Sequence, residues 1–300
     1  LKNRCCKARW VLIFKPEKMM TIKGLKQLGK QYIGLGLAAS AFALGAMPAQ
    51  AAGDLLVAPT RIILDGQRGT EVILNNIGAE TATYRISLEL RRMTADGRLE
   101  NVEPEQANAI EQAATEMIRY APRRVTLPPN QPQAIRLGVR PPQGLPDGEY
   151  RAHLLFRAIP KATSVTQAEN PEGGFSISLV PIYGVTIPVI IRQGNLEATA
   201  GIANARMETA EDGTPAFAFD LSRSGDRSTY GEIRVVKQGE SEPLIVARGI
   251  AVYPEVSSRK VTLSVGPDIA AQLKGPVSVE YYEPDNAGGG LITKSQLVLR

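Results

Sequence analysis

The stretch from Phe175 to Arg192 constrains this chain more than any other. It reads FSISLVPIYGVTIPVIIR, with apolar side chains at every odd position: Phe175, Ile177, Leu179, Pro181, Tyr183, Val185, Ile187, Val189 and Ile191. Successive side chains of a strand point to opposite faces, so this alternation predicts a β-strand with one uniform apolar face. Its eighteen residues are about three times the usual strand length of ~5–6. Pro181 and Pro188 cannot donate to a ladder, which places the strand at a sheet edge or a bulge. Backbone groups of odd and even residues point to opposite sides. An odd and an even proline therefore leave gaps on both, unless Gly184 between them marks a bulge or a change of sheet. No charge interrupts the run before Arg192, and a long uncharged edge is an aggregation hazard that proteins normally blunt. Either another element covers this edge, or adding a partner's strand to it is the function.

Residues 1–51 stand apart from the rest. From Met19 or Met20, the candidate start, the chain reads MTIKGLKQLGK, then the apolar YIGLGLAASAFALGAM, then PAQA and Ala52. A basic segment, an apolar core and a small-x-small site describe a secretory signal cut after Ala51. The Gly- and Ala-rich core from Tyr32 to Met47 is short for a membrane span of ~20 residues. The residues before Met19, with Cys5, Cys6 and Trp10, read as translated upstream sequence. Of the 35 Lys and Arg and 30 Asp and Glu, nine and one fall in residues 1–51. The remainder carries 26 and 29, and the formal charge passes from +5 to −3. The basic character of the full sequence is thus no argument for a nucleic-acid partner. Both cysteines leave with the signal, so apolar cores, and not disulfides, must hold the exported protein together.

About 249 residues remain, enough for one large or two ordinary domains. Short alternating segments recur at Thr60–Leu64, Glu71–Asn75, Thr83–Leu90, Ala134–Val139 and Tyr150–Ala158. After Gly194 they resume at Leu196–Ala203, Ala216–Leu221, Gly231–Val236, Leu244–Ala251, Lys260–Val265, Val277–Tyr282 and Leu291–Leu299. Turn signals such as Asp65-Gly66, Asp96-Gly97, Pro128-Pro129-Asn130 and Asp212-Gly213 separate them. This spacing predicts an all-β chain of two sandwiches, over 52–192 and 196–300, with a short hinge at Gln193-Gly194-Asn195. Two segments depart from the pattern. Ala107–Ile118 is rich in Ala and Glu and suits a turn or two of helix, and Lys161–Gly174 is polar and loop-like.

Catalytic chemistry is hard to place. His153 is the only histidine, which leaves no histidine metal cluster and a single choice for a Ser-His pair. Within a strand-like run it reads as a packed or solvated strand residue. No Gly-rich phosphate loop opens a helix, and Gly288-Gly289-Gly290 is better read as a turn. Glu103 and Glu105 are paired carboxylates in loop-like sequence with no sign of burial. These absences argue against an enzyme, a metal site or a cofactor.

Several segments together resemble the PapD-type periplasmic chaperones of pilus assembly. Thr60-Arg61-Ile62-Ile63-Leu64-Asp65-Gly66 is similar to that family's first strand, arginine included. Ala121-Pro122 through Leu127-Pro128-Pro129, Leu145-Pro146-Asp147-Gly148-Glu149-Tyr150 and Phe156-Arg157-Ala158-Ile159-Pro160 match further stretches. The Phe175–Arg192 run occupies the place of the long last strand of the first domain. Ser228-Thr229-Tyr230 before Ile233-Arg234-Val235 resembles a second-domain signature. The likeness covers most of residues 54–300 and is stronger in the first half.

The resemblance implies two immunoglobulin-like domains and a non-enzymatic periplasmic chaperone without a cofactor. Such a chaperone caps pilus or fibre subunits and passes them to an outer-membrane usher. It lends a long edge strand whose alternating side chains fill the subunit's open groove, and so keeps the groove from recruiting another chain. By residue match, Ile177, Leu179, Pro181, Tyr183 and Val185 are the inserted side chains; the other reading turns these odd positions toward the chain's own core. Arg61 matches the arginine that holds the subunit's terminal carboxylate, a task suited to its two-pronged donor geometry. The family's companion lysine falls on Pro188, so Arg61 acts alone or with another base such as Arg151 or Arg192. Glu149, Arg192 and Asp285 match charges that bridge the two domains. A second reading is a structural or adhesive sandwich of a surface assembly, with glycan binding as one version. Only about six residues between the expected cut and Ala58 leave little for a subunit's donor arm, and the mature chain lacks the tryptophan that glycan sites favour.

Overall fold

The computed structural model of this chain describes residues 55–65, 68–160, 182–210 and 212–299. The expected leader, the segment from Lys161 to Gly174, and Ile177, Leu179 and Pro181 lie outside them. In chain order the first ten strands are β1 Leu55–Ala58, β2 Ile62–Leu64, β3 Thr70–Asn76, β4 Ala82–Met93, β5 Leu99–Val102, β6 Ile118–Ala121, β7 Arg124–Leu127, β8 Pro132–Val139, β9 Gly148–Ile159 and β10 Gly184–Gln193. The next seven are β11 Ala198–Thr209, β12 Pro215–Gly225, β13 Thr229–Lys237, β14 Ile245–Val252, β15 Ser258–Ser264, β16 Gly275–Tyr282 and β17 Leu291–Leu299.

One sandwich stacks the sheet β1-β3-β8-β6 on the sheet β2-β10-β9-β4-β5, with β7 added to β4. The other stacks β11-β12-β15 on β14-β13-β16-β17. Alternation fills both cores. In β3, Val72 and Leu74 are buried while Ile73 between them is exposed. They meet Tyr84, Ile86, Ile135, Leu154, Phe156, Ile187 and Val189 in the first core. Phe217, Phe219, Ile233, Val235, Val279 and Tyr281 build the second, with the two phenylalanine rings tilted at a centroid distance of 5.7 Å.

The helix expected within Ala107–Ile118 is α1, Ala109–Met117. Asn108 accepts from the Glu111 N–H, and Glu111 accepts from the Asn108 N–H in return, which meets two backbone donors that a helix start leaves free. Its buried side, Ala114 and Met117, joins the first core. Strands β1, β5, β6 and β7 were not expected. Each has four residues, too few for alternation to stand out. The strand expected at Thr60–Leu64 starts only at Ile62, because the chain crosses between sheets after β1.

The apolar run meets two corrections. Pairing of β10 with β9 is unbroken from Gly184 to Gln193, so no bulge lies at Gly184 within that stretch. Nor is β10 an edge throughout: β2 pairs with it in parallel at Val189, Ile190 and Ile191. Among the described residues, Gly184–Pro188 has β9 as its one strand neighbour. The hydrogen bond from the Ala158 N–H to the Tyr183 carbonyl, 2.9 Å, fixes which backbone groups face that neighbour. Odd residues of β10 turn theirs toward β9, and even ones, Pro188 included, turn away. Pro188 therefore costs the β9 ladder nothing.

A third apolar cluster joins the sandwiches. Met93 and Ile190 from the first pack with Ala251 and Tyr253 from the second. Beside it the Lys260 N–H donates to the Ala95 carbonyl at 2.8 Å, tying the β4–β5 turn to β15. Gly97 in that turn has φ +81°, and a side chain there would collide with the Arg259 guanidinium.

Candidate functional site

The sheet face turned away from the first core carries the polar residues. Inward positions of β9 are Tyr150, Ala152, Leu154 and Phe156, which leaves Glu149, Arg151 and His153 facing outward. By the same alternation Pro188, Ile190 and Arg192 of β10, and Glu89, Arg91 and Met93 of β4, face outward too. Register sets four residues in a row across the sheet. Ile62 partners Val189, so Arg61 stands level with Pro188; Pro188 partners His153, and His153 partners Glu89.

Arg61 reaches across to the second sandwich. Its Nη1 donates to the Tyr253 hydroxyl at 3.0 Å and its Nη2 to Ser228 Oγ at 3.2 Å. The guanidinium also lies 4.3 Å from the centroid of the Tyr230 ring, a cation–π contact. Neighbouring arginines each hold a carboxylate: Arg91 pairs with Glu89, Arg151 with Glu255 and Arg192 with Glu149. Among the described residues Arg61 meets none. Its charge rests on hydroxyls and a ring face, which leaves it the cation of this face with electrostatic capacity to spare.

Arg151 is nearly covered, its side chain 8% exposed. It stacks 3.6 Å from the Tyr253 ring centroid and donates to the Arg91 carbonyl at 3.0 Å. The Glu149 side chain is wholly buried. It accepts from Arg192 Nε at 3.1 Å, from the Ser228 N–H at 3.1 Å and from Ser228 Oγ at 2.9 Å. Glu149 and Arg192 thus meet as a cross-strand pair that also grips the second sandwich. Asp285, expected with them, is not part of this group. The chain turns after β16 through Asp285–Ala287, where the Asp285 charge acts on Arg234, a guanidinium held above its ordinary pKa chiefly by its hydrogen bond to Glu232.

His153 is packed, not solvated: it is buried, and neither ring nitrogen has a hydrogen-bond partner. Burial first, then the charges of Arg151, Arg91 and Arg61, lower its pKa to about 3. Of the expected inserted side chains within the described residues, Tyr183 is 51% exposed. Val185 packs partly against the first core, as the parity it shares with buried Ile187 and Val189 requires. Tyr253 and Glu255 escaped sequence reasoning, since no local pattern links Tyr253 to an arginine 192 positions earlier. Among the described residues no group of three or more His, Cys, Asp or Glu is placed to hold a metal ion, and no helix is long and apolar enough to cross a membrane.

No protein-family model matches the chain, and no curated protein matches it. Among solved structures similar to it are chaperones of fimbrial assembly. The class 5 fimbriae chaperone CfaA is 13% identical, with 82% of this chain and 99% of that one covered and a TM-score of 0.43. The complex of the SafA pilin with the SafB chaperone from Salmonella enterica gives 16% identity, coverage of 82% and 96%, and a TM-score of 0.42. The CsuC–CsuE chaperone–tip adhesion subunit complex from Acinetobacter baumannii gives 13%, 82% and 98%, and 0.41.

Proposed function

We propose that this chain is an exported chaperone that caps subunits of a pilus or surface fibre by lending them a β-strand edge. The observation that carries this reading is the one-sided pairing of Gly184–Pro188 among the described residues. Gly184 and Thr186 turn their N–H and carbonyl groups toward the open side, where an incoming strand finds a ready ladder. Directly before this edge Ile182 and Tyr183 expose large apolar side chains. The uncharged run ahead of them supplies Ile177, Leu179 and Pro181, which with Tyr183 would fill an apolar groove in the client. Val185, half turned to the chain's own core, marks where that role ends.

Arg61 completes the reading. A guanidinium without a carboxylate, level with the end of the open edge, suits the terminal carboxylate of a client strand laid along β10. The pair of Glu149 and Arg192, with Ser228, would hold the angle of the cleft into which that terminus runs. In this account the leader is cut after Ala51, the chaperone works in the periplasm, and the capped subunit passes to an outer-membrane usher without a chemical step.

Co-purification from a periplasmic extract, followed by mass spectrometry, tests the proposal. A small β-rich subunit should be recovered at about one-to-one stoichiometry, and Tyr183→Asp should release it from a chaperone that still folds. Recovery of no subunit, or of one whose capture ignores Tyr183→Asp, would overturn the reading.

A further inference from the structure

His153 is the single histidine of the chain. It is 1% exposed, and both of its ring nitrogens lack a partner. A polar side chain this deeply buried ordinarily finds one, because an unmet donor in a dry site forfeits its hydration for nothing. The neighbours of His153 explain why none is at hand. Pro188, opposite it on β10, has no donor or acceptor in its side chain. Glu89, opposite it on β4, spends its Oε1 on Arg91 and Thr186 and accepts nothing from the ring. The charges bearing on the ring are those of Arg151, Arg91 and Arg61, and guanidiniums carry donors only, so none of them can accept from the ring N–H.

The same sheet face has further unmet donors. Arg61 Nε and Arg151 Nε are buried donors without partners. Guanidiniums and an imidazole N–H along one face call for an acceptor that brings negative charge and more than one oxygen. A carboxylate has two oxygens and about four lone-pair sites. The setting also suits a neutral imidazole: among three guanidiniums a further cation would be repelled, whereas an uncharged ring can present one N–H.

We infer that His153 is a second hydrogen-bond donor for the terminal carboxylate that Arg61 anchors, binding one oxygen while the guanidinium holds the other. The inference rests on the proposed anchoring role of Arg61 and adds a residue to that site. It also says what the site selects. A client ending in a carboxamide would present an NH2 group where an acceptor is needed, and would leave a buried donor unmet.

A chain with one histidine gives one imidazole to observe. The probes are an acetylated peptide of four Thr-Val repeats ending in a free carboxylate, and the same peptide ending in a carboxamide. Each is titrated into the full mature chain carrying 15N-labelled histidine. The carboxylate peptide should shift the ring nitrogen signals and the carboxamide should not. His153→Gln, which keeps an N–H donor, should bind the carboxylate peptide within about threefold of wild type, and His153→Leu about tenfold more weakly, as expected for one lost hydrogen bond to a charged group. Thermal melts check that both variants fold, and the wild-type titration needs neither. If Arg61→Ala and the carboxamide both weaken binding while the imidazole signals stay still, the inference about His153 is wrong and the Arg61 anchor stands. If neither change weakens binding, the anchor itself is wrong and the inference falls with it.

Discussion

The two halves of β10 share one sequence pattern and lead different lives. From Val189 to Ile191 the strand is flanked by β9 and β2, and these three residues are fully buried. Between Gly184 and Pro188 it has one strand neighbour among the described residues, and the residues just before it are exposed. Odd-position alternation runs through both halves unchanged. What separates them is the even positions: Ile190 lies in the cluster between the sandwiches, whereas Thr186 bonds with Glu89 and Arg91 on the outer face. An apolar residue where alternation calls for a polar one marks a strand covered on both faces. Among the described residues the first half has one open side, and the second is covered.

The sharpest way to break this contrast is to place the same charge in both halves. Val189→Asp would bury a carboxylate in the first core with no cation to meet it, a cost of roughly 5 kcal/mol or more. Urea denaturation should find no cooperative transition, and a cooperative one near the wild-type midpoint would refute the two-sided burial of this half. Next in size is Ile190→Ala, worth about 3 kcal/mol for a buried isoleucine. Since Ile190 serves the cluster between the sandwiches, proteolysis of the link between Gln193 and Ala198 should quicken as well. Unchanged cleavage would mean that the cluster does not restrain the link.

Acid offers a third test through His153. Unfolded, its imidazole takes up a proton below the ordinary 6.5; folded, only below about 3. Between those values the unfolded chain holds more protons, so stability falls as pH falls. The loss should be roughly 2 kcal/mol from pH 7 to pH 5. In that interval no other side-chain type has its ordinary pKa. Urea midpoints across this range should slope in wild type and flatten in His153→Leu; equal slopes would mean that His153 titrates normally. The smallest effect on stability belongs to Tyr183→Asp, directly before the open half. Melting should move by no more than about 0.5 kcal/mol, as for an exposed site, while client capture is lost. A large stability loss would assign Tyr183 to the chain's own packing.

Much of this was legible in the linear chain. Alternation identified the long strands because their buried faces are apolar over several periods, as in β4, where Tyr84, Ile86 and Leu90 point inward. The helix Ala109–Met117 announced itself by composition, and its capping pair Asn108 and Glu111 is local. Four-residue strands such as β7 were lost because two periods are not a pattern. In the candidate site, Arg61, Glu149 and Arg192 were named from residue matches. Tyr253 and Glu255 could not be, because their contacts with Arg61 and Arg151 exist only once the sandwiches meet. Asp285 failed for the same reason in reverse: its sequence position fitted, but the turn after β16 directs its charge to Arg234.

Residue-resolved hydrogen exchange on β10, with and without a captured client, tests the central claim most directly. In the free chain the amides of Gly184 and Thr186, which face the open side, should exchange quickly, and those of Val185 and Ile187, bonded toward β9, slowly. On capture Gly184 and Thr186 should become protected, because a client strand takes up their N–H groups. A client that binds while those two amides go on exchanging at their free rate would contradict the account, and its strand would have to lie elsewhere on the molecule.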